Sequence, residues 1–299
     1  MIPLSRQRGS MLLVVLFLAG LLGVFAAVAA SVMHAAAESS RTFANGLRAD
    51  EAMRAAMDYV VGQTGAAIQQ SRGTATIQMG RTRVLLTVRD EAARIDLNRA
   101  PSLLLAGIFR QAGVPADVAA MYAARIVDWR DPDDDISPNG GAERGAYRAA
   151  GRTDGPRNGP FLHVAELALV LGIPMRTAAA VAPYVTVASG RDKINPMYAD
   201  PPVLMAIPGI DENRVRDFLE ERKQPGAQLK SLISRLGPVQ SFVTEENGMA
   251  VRFEGSVKLD GGNDERDYEV VASVRAGDNA PYRILAWDAN PPERIRARP

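Results

Sequence analysis

Two arginines and a long apolar run open the chain, where residues 6–33 read RQRGSMLLVVLFLAGLLGVFAAVAASVM. No charged side chain occurs between Arg8 and Glu38. A helix needs about 20 apolar residues to span a bilayer, and this run is long enough. Positive charge ahead of the span places Arg6 and Arg8 in the cytoplasm and the rest of the chain across the membrane. The sequence therefore predicts a domain held at one membrane face by residues 10–33.

A cleaved secretory signal peptide is the alternative for the same stretch. Signal peptides have an apolar core of roughly 7–15 residues and end at a cleavage site made of small residues. The apolar run here is longer and no helix breaker follows it, although Ala26–Ser31 has the composition of such a cleavage site. An uncleaved anchor is the interpretation that we favour.

Composition excludes several classes of function. The 299 residues include 35 basic and 34 acidic side chains, a balance that does not indicate a nucleic-acid surface. Cysteine is absent, and His34 and His163 are too few and too far apart for a zinc site. The Gly-x-Ser-x-Gly element of many hydrolases is also absent from the sequence. We therefore expect no enzyme, and a structural role for His163.

A single helix is predicted to extend well past the membrane, because Met11–Gln70 contains no proline. At 1.5 Å per residue it would be roughly 90 Å long. Asp50 and Arg54 could pair on its exposed face. Gly46 or Gly62 could instead break it into an anchor and a separate helix. The apolar positions that predict its buried face are Phe43, Leu47, Met53, Met57, Val60 and Val61.

Strands are predicted at both ends of the remaining chain, and helices between them. Alternation of apolar and polar residues predicts a hairpin over 74–88 with its turn at Gly80-Arg81. Further strands are predicted over Met249–Phe253, Tyr268–Val274 and Tyr282–Trp287, before a loose tail at Asn290–Pro299. Five helices are predicted, over Ser102–Phe109, Ala116–Trp129, Phe161–Gly172, Ala199–Ile207 and Val215–Leu219. Ser102 is the expected N-cap of the first helix. A loop is predicted over Ile136–Asn158.

The basic leader that ends in glycine and adjoins an apolar helix resembles the signal of type IV pilins and type II secretion pseudopilins. In that family a prepilin peptidase cuts after the glycine and methylates the new amino terminus, which implies cleavage between Gly9 and Ser10. This chain departs from the family twice, since most members begin the mature chain with Phe and carry Glu where Val14 stands. In lacking this carboxylate, the chain resembles the minor pseudopilin K of the type II secretion system. Other residues that carry this resemblance are Asn98, Ala100, Asp128–Asp131, Gly141–Glu143, Tyr147, Glu166-Leu167 and Gly172.

The resemblance implies an α+β fold, in which a long N-terminal helix packs on a small antiparallel sheet and a large all-α insertion lies between strands. The implied divisions are a leader over 1–9, a membrane helix over 10–33, a pilin-like domain over 34–95 and 237–299, and an insertion over 96–236. The insertion would contain two parts that resemble helix-hairpin-helix or SAM-like modules.

The resemblance also implies a function: a minor pseudopilin at the tip of the periplasmic pseudopilus, anchored in the inner membrane by a single span. Its implied partners are minor pseudopilins I, J and H, the major pseudopilin and the prepilin peptidase. Val14 could not neutralise a neighbour's amino terminus, so the protein would cap the fibre.

A membrane-anchored DNA-uptake protein is the alternative, because Ile207–Ile210 resembles the hairpin of helix-hairpin-helix modules. Arg214, Arg216, Arg222 and Lys223 follow this hairpin and favour a phosphate ligand, but Asp211 and Glu212 would repel one.

An acidic loop follows the helix that is predicted to end at Trp129. Asp131, Asp133 and Asp135 occupy alternate positions, and Glu143 lies beyond them. Calcium takes six to eight oxygen ligands from such loops. The calcium loop of helix–loop–helix proteins is excluded, because Ile136 and Ala142 stand where it needs Gly and Glu. Similarity to pseudopilin K suggests bound calcium, and a solvated turn that caps the helix is the alternative.

Overall fold

One continuous helix, α1 over Gln7–Thr64, begins the structure. It is seen in a computed structural model that describes residues 7–64, 73–224, 229–236, 239, 241–260, 265–273, 281–289 and 291. Its 58 residues extend for about 87 Å at 1.5 Å per residue. Gly46 and Gly62 lie inside α1 and do not break it. The long helix is therefore confirmed up to Thr64, and residues 65–70 of the prediction lie outside the described part.

Only the C-terminal part of α1 is buried. Its buried residues recur every three or four positions: Gly46, Ala49, Met53, Ala56, Met57 and Val61. The prediction that Phe43 and Leu47 belong to this face is wrong, since they are 78% and 55% exposed. The sheet's contact with the helix reaches Gly46, where the Arg266 guanidinium lies over the glycine. Phe43 precedes this contact, and Leu47 lies about 100° around the helix from Gly46, on a face that the described strands do not cover.

Polar contacts fix the helix on the sheet. The Tyr268 hydroxyl donates a hydrogen bond to Asp50 over 2.7 Å, and the Tyr282 hydroxyl donates one to Asp58 over 2.8 Å. The Arg54 guanidinium lies 4.5 Å from the centre of the Trp287 ring, a cation–π distance. Asp50 and Arg54 therefore bind the sheet, instead of forming the predicted pair with each other.

Seven strands in two sheets lie within the residues that the structure describes. They are β1 Gly73–Met79, β2 Thr82–Asp90, β3 Ile95–Asp96, β4 Val185–Thr186, β5 Ala250–Lys258, β6 Glu265–Ser273 and β7 Arg283–Ala289. The larger sheet is antiparallel in the order β1-β2-β5-β6-β7, and β3 pairs with β4 in parallel. The predicted hairpin is confirmed, with Met79 opposite Thr82 and Gly80 at a φ of 58°. Val274 and the tail at 292–299 lie outside the described residues.

Seven helices follow α1 in the part of the chain that the structure describes. They are α2 Ser102–Gln111, α3 Ala116–Arg130, α4 Arg144–Ala149, α5 Met175–Val181, α6 Pro201–Met205, α7 Glu212–Arg222 and α8 Leu229–Arg235. Pro101, not Ser102, is the N-cap of α2, and α4 lies within the predicted loop over 136–158. The helix predicted over Ala199–Ile207 is present as α6, which is shorter than predicted.

The predicted helix over Phe161–Gly172 is wrong, because Val164–Leu169 forms a 3-10 helix. Glu166 explains the tight first turn. Its carboxylate accepts the backbone N–H groups of Leu162 and His163, while the His163 imidazole accepts from Ala165 N. Side chains thus hold the first turn, and the prediction of a structural His163 is consistent with this cap.

The helical block is an insertion between neighbouring strands. Asp90 at the end of β2 pairs with Val251 in β5, so residues 91–249 lie between two adjacent strands. The insertion has its own hydrophobic core, distinct from the core that α1 forms with the sheet. The predicted α+β fold is confirmed. The chain leaves the sheet after Asp90 and rejoins it at Ala250, outside the boundaries at 96 and 236 that the sequence suggested.

Buried charged side chains join the insertion to the sheet. Arg252 Nε donates to Glu91 Oε1 over 2.7 Å, and Arg252 also pairs with Glu269. The Thr186 hydroxyl from β4 donates to the same glutamate. Burial alone would raise the pKa of Glu91, but Arg252 and Arg94 lower it to about 2. Glu91 is therefore a charged link between β5, in the sheet, and β4, in the insertion.

Asp90 lies where the chain crosses from the sheet into the insertion, and it fixes both this crossing and the returning one. Its Oδ1 accepts from Ala92 N, on the outgoing crossing, over 2.6 Å, and from Gly248 N, on the returning one, over 2.9 Å. Burial raises the pKa of Asp90 to about 6, although both hydrogen bonds oppose that shift. The crossing therefore contains a carboxylate that titrates near neutral pH.

Asp90→Asn should change the pH dependence of stability. The folded protein binds this proton more tightly than the unfolded chain, so the free energy of unfolding should fall as pH rises from about 4 through 6. Asparagine keeps the Oδ1 acceptor and should remove that decline, worth up to about 3 kcal/mol. Denaturant unfolding of the full chain in detergent between pH 4 and 7 measures it. Asp117→Asn on an exposed position is the control, and an unchanged slope in Asp90→Asn would contradict the assignment.

Gly107→Ala should strongly destabilise the insertion. Gly107 lies where α2 crosses α6, and an added Cβ would overlap the carbonyl oxygen of Ala206. The helices would have to separate, at about 3 kcal/mol or more. Gly145→Ala in α4 is the matched control, since its Cβ would meet nothing within 4 Å, and it should stay within about 1 kcal/mol of the wild type. Equal unfolding midpoints for both variants would show that α2 and α6 do not touch there.

Candidate functional site

The acidic loop predicted to bind a cation begins at the C-terminus of α3, where Asp131 is the C-cap. Asp133 and Asp135 are exposed, and the Asp133 carboxylate accepts from Asp135 N over 2.9 Å. Asp134 accepts from Asn158 Nδ2 over 3.3 Å. The three alternating carboxylates therefore do not point together as a preformed set, and the loop is partly held by its own hydrogen bonds.

Glu143 lies apart from the exposed loop, since it is only 6% exposed. Burial, together with the charges of Asp128, Asp131, Asp134 and Asp133, raises the pKa of Glu143 to about 7. In the described structure, neither of its carboxylate oxygens has a hydrogen-bond partner. A buried carboxylate in this state is costly, because it lacks both water and a compensating donor.

Asp128 was not among the cation ligands that the sequence predicted. It is fully buried on α3, one turn before Asp131. Its Oδ1 accepts from Ser137 N over 3.0 Å, while its Oδ2 has no partner among the described residues. One oxygen of Asp131 is likewise buried and unpaired. The i, i+3 spacing to Asp131 in a helix was the signal that could have identified Asp128.

Asp128 and Glu143 are therefore buried and Asp131 is half-buried, whereas Asp133 and Asp135 are exposed. Unpaired buried carboxylate oxygens are the donors that a hard cation requires. Within the described ranges, however, no three acidic, His or Cys side chains are close enough to form a ready ligand set. An ion at this place would have to draw the carboxylates together.

The hairpin over Ile207–Ile210 joins α6 to α7, with Gly209 at a φ of 77°. Asp211 occupies the place that a phosphate would take, because it caps α7 by accepting from Arg214 N over 3.0 Å. It also pairs with the Arg214 side chain. Arg222 donates to the carbonyls of Pro196 and Ala199. The cations next to this hairpin thus have structural partners, and the hairpin does not favour DNA.

The N-terminal sites lie in α1. The Gly9–Ser10 peptide belongs to its first turns, and the Val14 side chain is 56% exposed. The apolar helix that begins at Met11 is, in the described part of the chain, the one long and apolar enough to cross a membrane. Its most apolar stretch has a mean hydropathy of 2.9 and is entirely exposed. This agrees with a single membrane anchor.

Comparison with known proteins found similarity in part of the sequence and in the fold. The family model described as "Type II secretion system (T2SS), protein K" matches residues 86–190, which contain the acidic loop and Glu143. No curated protein sequence matches the chain.

Among solved structures, a chain of the GspK–GspI–GspJ complex of the type 2 secretion system from enterotoxigenic Escherichia coli has the same fold. The TM-score is 0.63 at 15% identity, over 84% of this chain and 99% of that one. Residues 86–190 thus match the protein K family model, and the chain shares the fold of that solved chain.

Proposed function

We propose that this protein serves protein export as the tip component of a type II secretion pseudopilus, in a structural and not a catalytic role. The anchor of α1 would lie in the inner membrane, with the sheet and the insertion in the periplasm. The protein K match at residues 86–190 carries this proposal. The alternative of DNA uptake is not favoured, because the hairpin's cations serve the fold.

The exposed part of α1 supports a docking role towards minor pseudopilins I and J. At 3.6 residues per turn, one face of the helix carries only apolar or small residues. Glu38, Arg41 and Arg48 lie on other faces of the same stretch. The apolar face continues from the anchor into the part beyond it, and its main positions are Phe25, Ala29, Val32, Ala36, Phe43 and Leu47, all exposed.

An apolar stripe outside the bilayer needs a cover, because exposed apolar area of this kind marks association sites. The helix of another pseudopilin has the matching length and chemistry. The solved complex from enterotoxigenic Escherichia coli contains GspK together with GspI and GspJ, which supports these two as the partners. Minor pseudopilin H and the major pseudopilin would join below them.

Site-directed cross-linking should locate the partners. The chain has no cysteine, so Phe43→Cys offers one attachment point for a benzophenone maleimide in cells that produce the secretion system. Irradiation should give adducts with pseudopilins I or J. Arg41→Cys is the control, since it lies at nearly the same depth on the opposite face of α1. Equal adducts from both positions, or none from Phe43→Cys, would contradict docking along this stripe.

The tip position is supported by Val14 and by the insertion. A charged amino terminus buried in an apolar fibre core costs several kcal/mol when no carboxylate neutralises it, and Val14 cannot neutralise one. The insertion, residues 91–249, adds bulk above the sheet. We propose that the prepilin peptidase first cuts between Gly9 and Ser10, which would give a mature chain that starts at Ser10.

We also propose that calcium binds at Glu143. The unpaired buried oxygens of Glu143, Asp128 and Asp131 fit this role, and Asp133 and Asp135 lie on the adjacent loop. A bound calcium ion would supply two positive charges to a group of carboxylates that repel one another. Asp128 and Glu143 would hold it from the buried side, with Asp131 from the end of α3.

Calcium should stabilise the wild type by several degrees in thermal unfolding of the full chain in detergent. An ion that binds only the folded state at 100 times its dissociation constant contributes about 2.7 kcal/mol. Glu143→Gln should lose most of this shift, yet be at least as stable as the wild type in EDTA, because it removes an unpaired buried carboxylate. Asp154→Asn, an exposed control, should respond like the wild type. The same melting curve with and without calcium would contradict calcium binding and favour the alternative of a solvated acidic turn.

A further inference from the structure

A cavity of about 340 Å³ opens where the parallel strands β3 and β4 end. Its size is at the lower end of the roughly 300–1,000 Å³ that ligand pockets occupy. In parallel sheets, ligands bind in the crevice outside the carboxyl ends of the strands. The cavity has this position, because it is lined by the residues that follow each strand, including Asn98 and Gly190.

The floor of the cavity is a carboxylate that is already satisfied. Asp96 Oδ1 accepts from Asn98 N over 2.8 Å. Its Oδ2 accepts from the Ser189 hydroxyl over 2.9 Å and from Gly190 N over 2.8 Å. These donors hold Asp96 in place and leave it little capacity to bind a cation. The Asp96 carboxylate also acts electrostatically on Arg130, so the positive charge that attracts an anion must outweigh it.

Two arginines supply that charge. Arg130 is held in place, since its Nη1 donates to Leu97 O over 2.6 Å and its Nη2 to Ala100 O over 2.9 Å. These carbonyls orient the guanidinium without neutralising it. Arg99 is exposed at the cavity. Within the described residues, neither arginine makes an ion pair with a carboxylate, so guanidinium N–H donors remain for an anion.

The remaining wall is apolar. Pro160, Val187 and Ala188 line it, together with Met249, which is 51% exposed. An inorganic anion would not use this wall. A carboxylate carried on an aliphatic stem would use both parts, with its oxygens at the arginines and its methylene groups against the apolar side chains.

We propose that this cavity binds a carboxylate of an extended peptide segment from a protein partner. The carboxylate would form charge-assisted hydrogen bonds with Arg99 and Arg130, and its stem would pack against Pro160 and Met249. An acidic side chain and a peptide C-terminus share this chemistry. The site does not depend on the position of the protein in the pseudopilus.

Saturation-transfer difference NMR on the full chain in detergent tests the proposal without a label. The probes are acetyl-Ala-Leu-Glu-amide, with a side-chain carboxylate, acetyl-Ala-Leu with a free C-terminus, and acetyl-Ala-Leu-Gln-amide, with neither. We expect saturation of at least one acid probe and none of the Gln probe. The acid probe that binds identifies which source of the carboxylate the cavity prefers.

Two variants decide whether binding occurs in this cavity. Arg99→Gln should weaken binding of the acid probe about fivefold, the effect of losing a partly exposed ion pair. Arg110→Gln, an exposed arginine in the last turn of α2, should leave it unchanged. Ala188→Leu narrows the cavity without changing its charge and should also weaken binding. Equal signals from all three probes, or equal losses from Arg99→Gln and Arg110→Gln, would overturn the proposal.

Discussion

Glu91 and Arg252 form a charged pair that is almost entirely removed from water, at the junction of the two halves of the molecule. The exposed fractions of their side chains are 1% and 7%. Removal of Arg252 would leave the buried Glu91 carboxylate without its ion-pair partner, which typically costs 3–5 kcal/mol. Thr186 from β4 donates to the same carboxylate. The orientation of the insertion on the sheet thus depends on this pair, since it joins β5 to β4 directly.

The helix that carries the sheet has two environments along one continuous backbone. Its membrane-proximal part is exposed on every side, whereas Met53 and Met57 are fully buried beneath the strands. Tyr268 and Tyr282 hydrogen-bond to carboxylates of α1 and so prevent it from rotating on the sheet. Because this attachment is rigid, the sheet and the insertion keep a fixed orientation relative to the exposed face of α1.

Sequence patterns predicted the elements that bury one apolar face and expose the other. Alternation in 74–88 located the first hairpin, and the spacing of Met53 and Met57 located the buried face of α1. Phe43 and Leu47 continue the apolar spacing but are exposed, Phe43 because it precedes the sheet contact at Gly46 and Leu47 because it lies about 100° around the helix from Gly46. Sequence could not show that Asp90 meets Gly248, since that contact joins residues 158 positions apart. It also did not place Asp128 among the cation ligands, since only the fold brings Ser137 N to that carboxylate.

The insertion has a consequence for how this fold can vary. Asp90 and Val251 face each other across one antiparallel pair, about 5 Å apart at their Cα atoms. A short turn could join them equally well, and the five strands would then form a simple meander in chain order. The helical block is in this sense an enlarged hairpin loop with its own core. Exchange of the whole block for another of different shape would leave the anchor and the sheet intact, so the two parts are free to diverge separately.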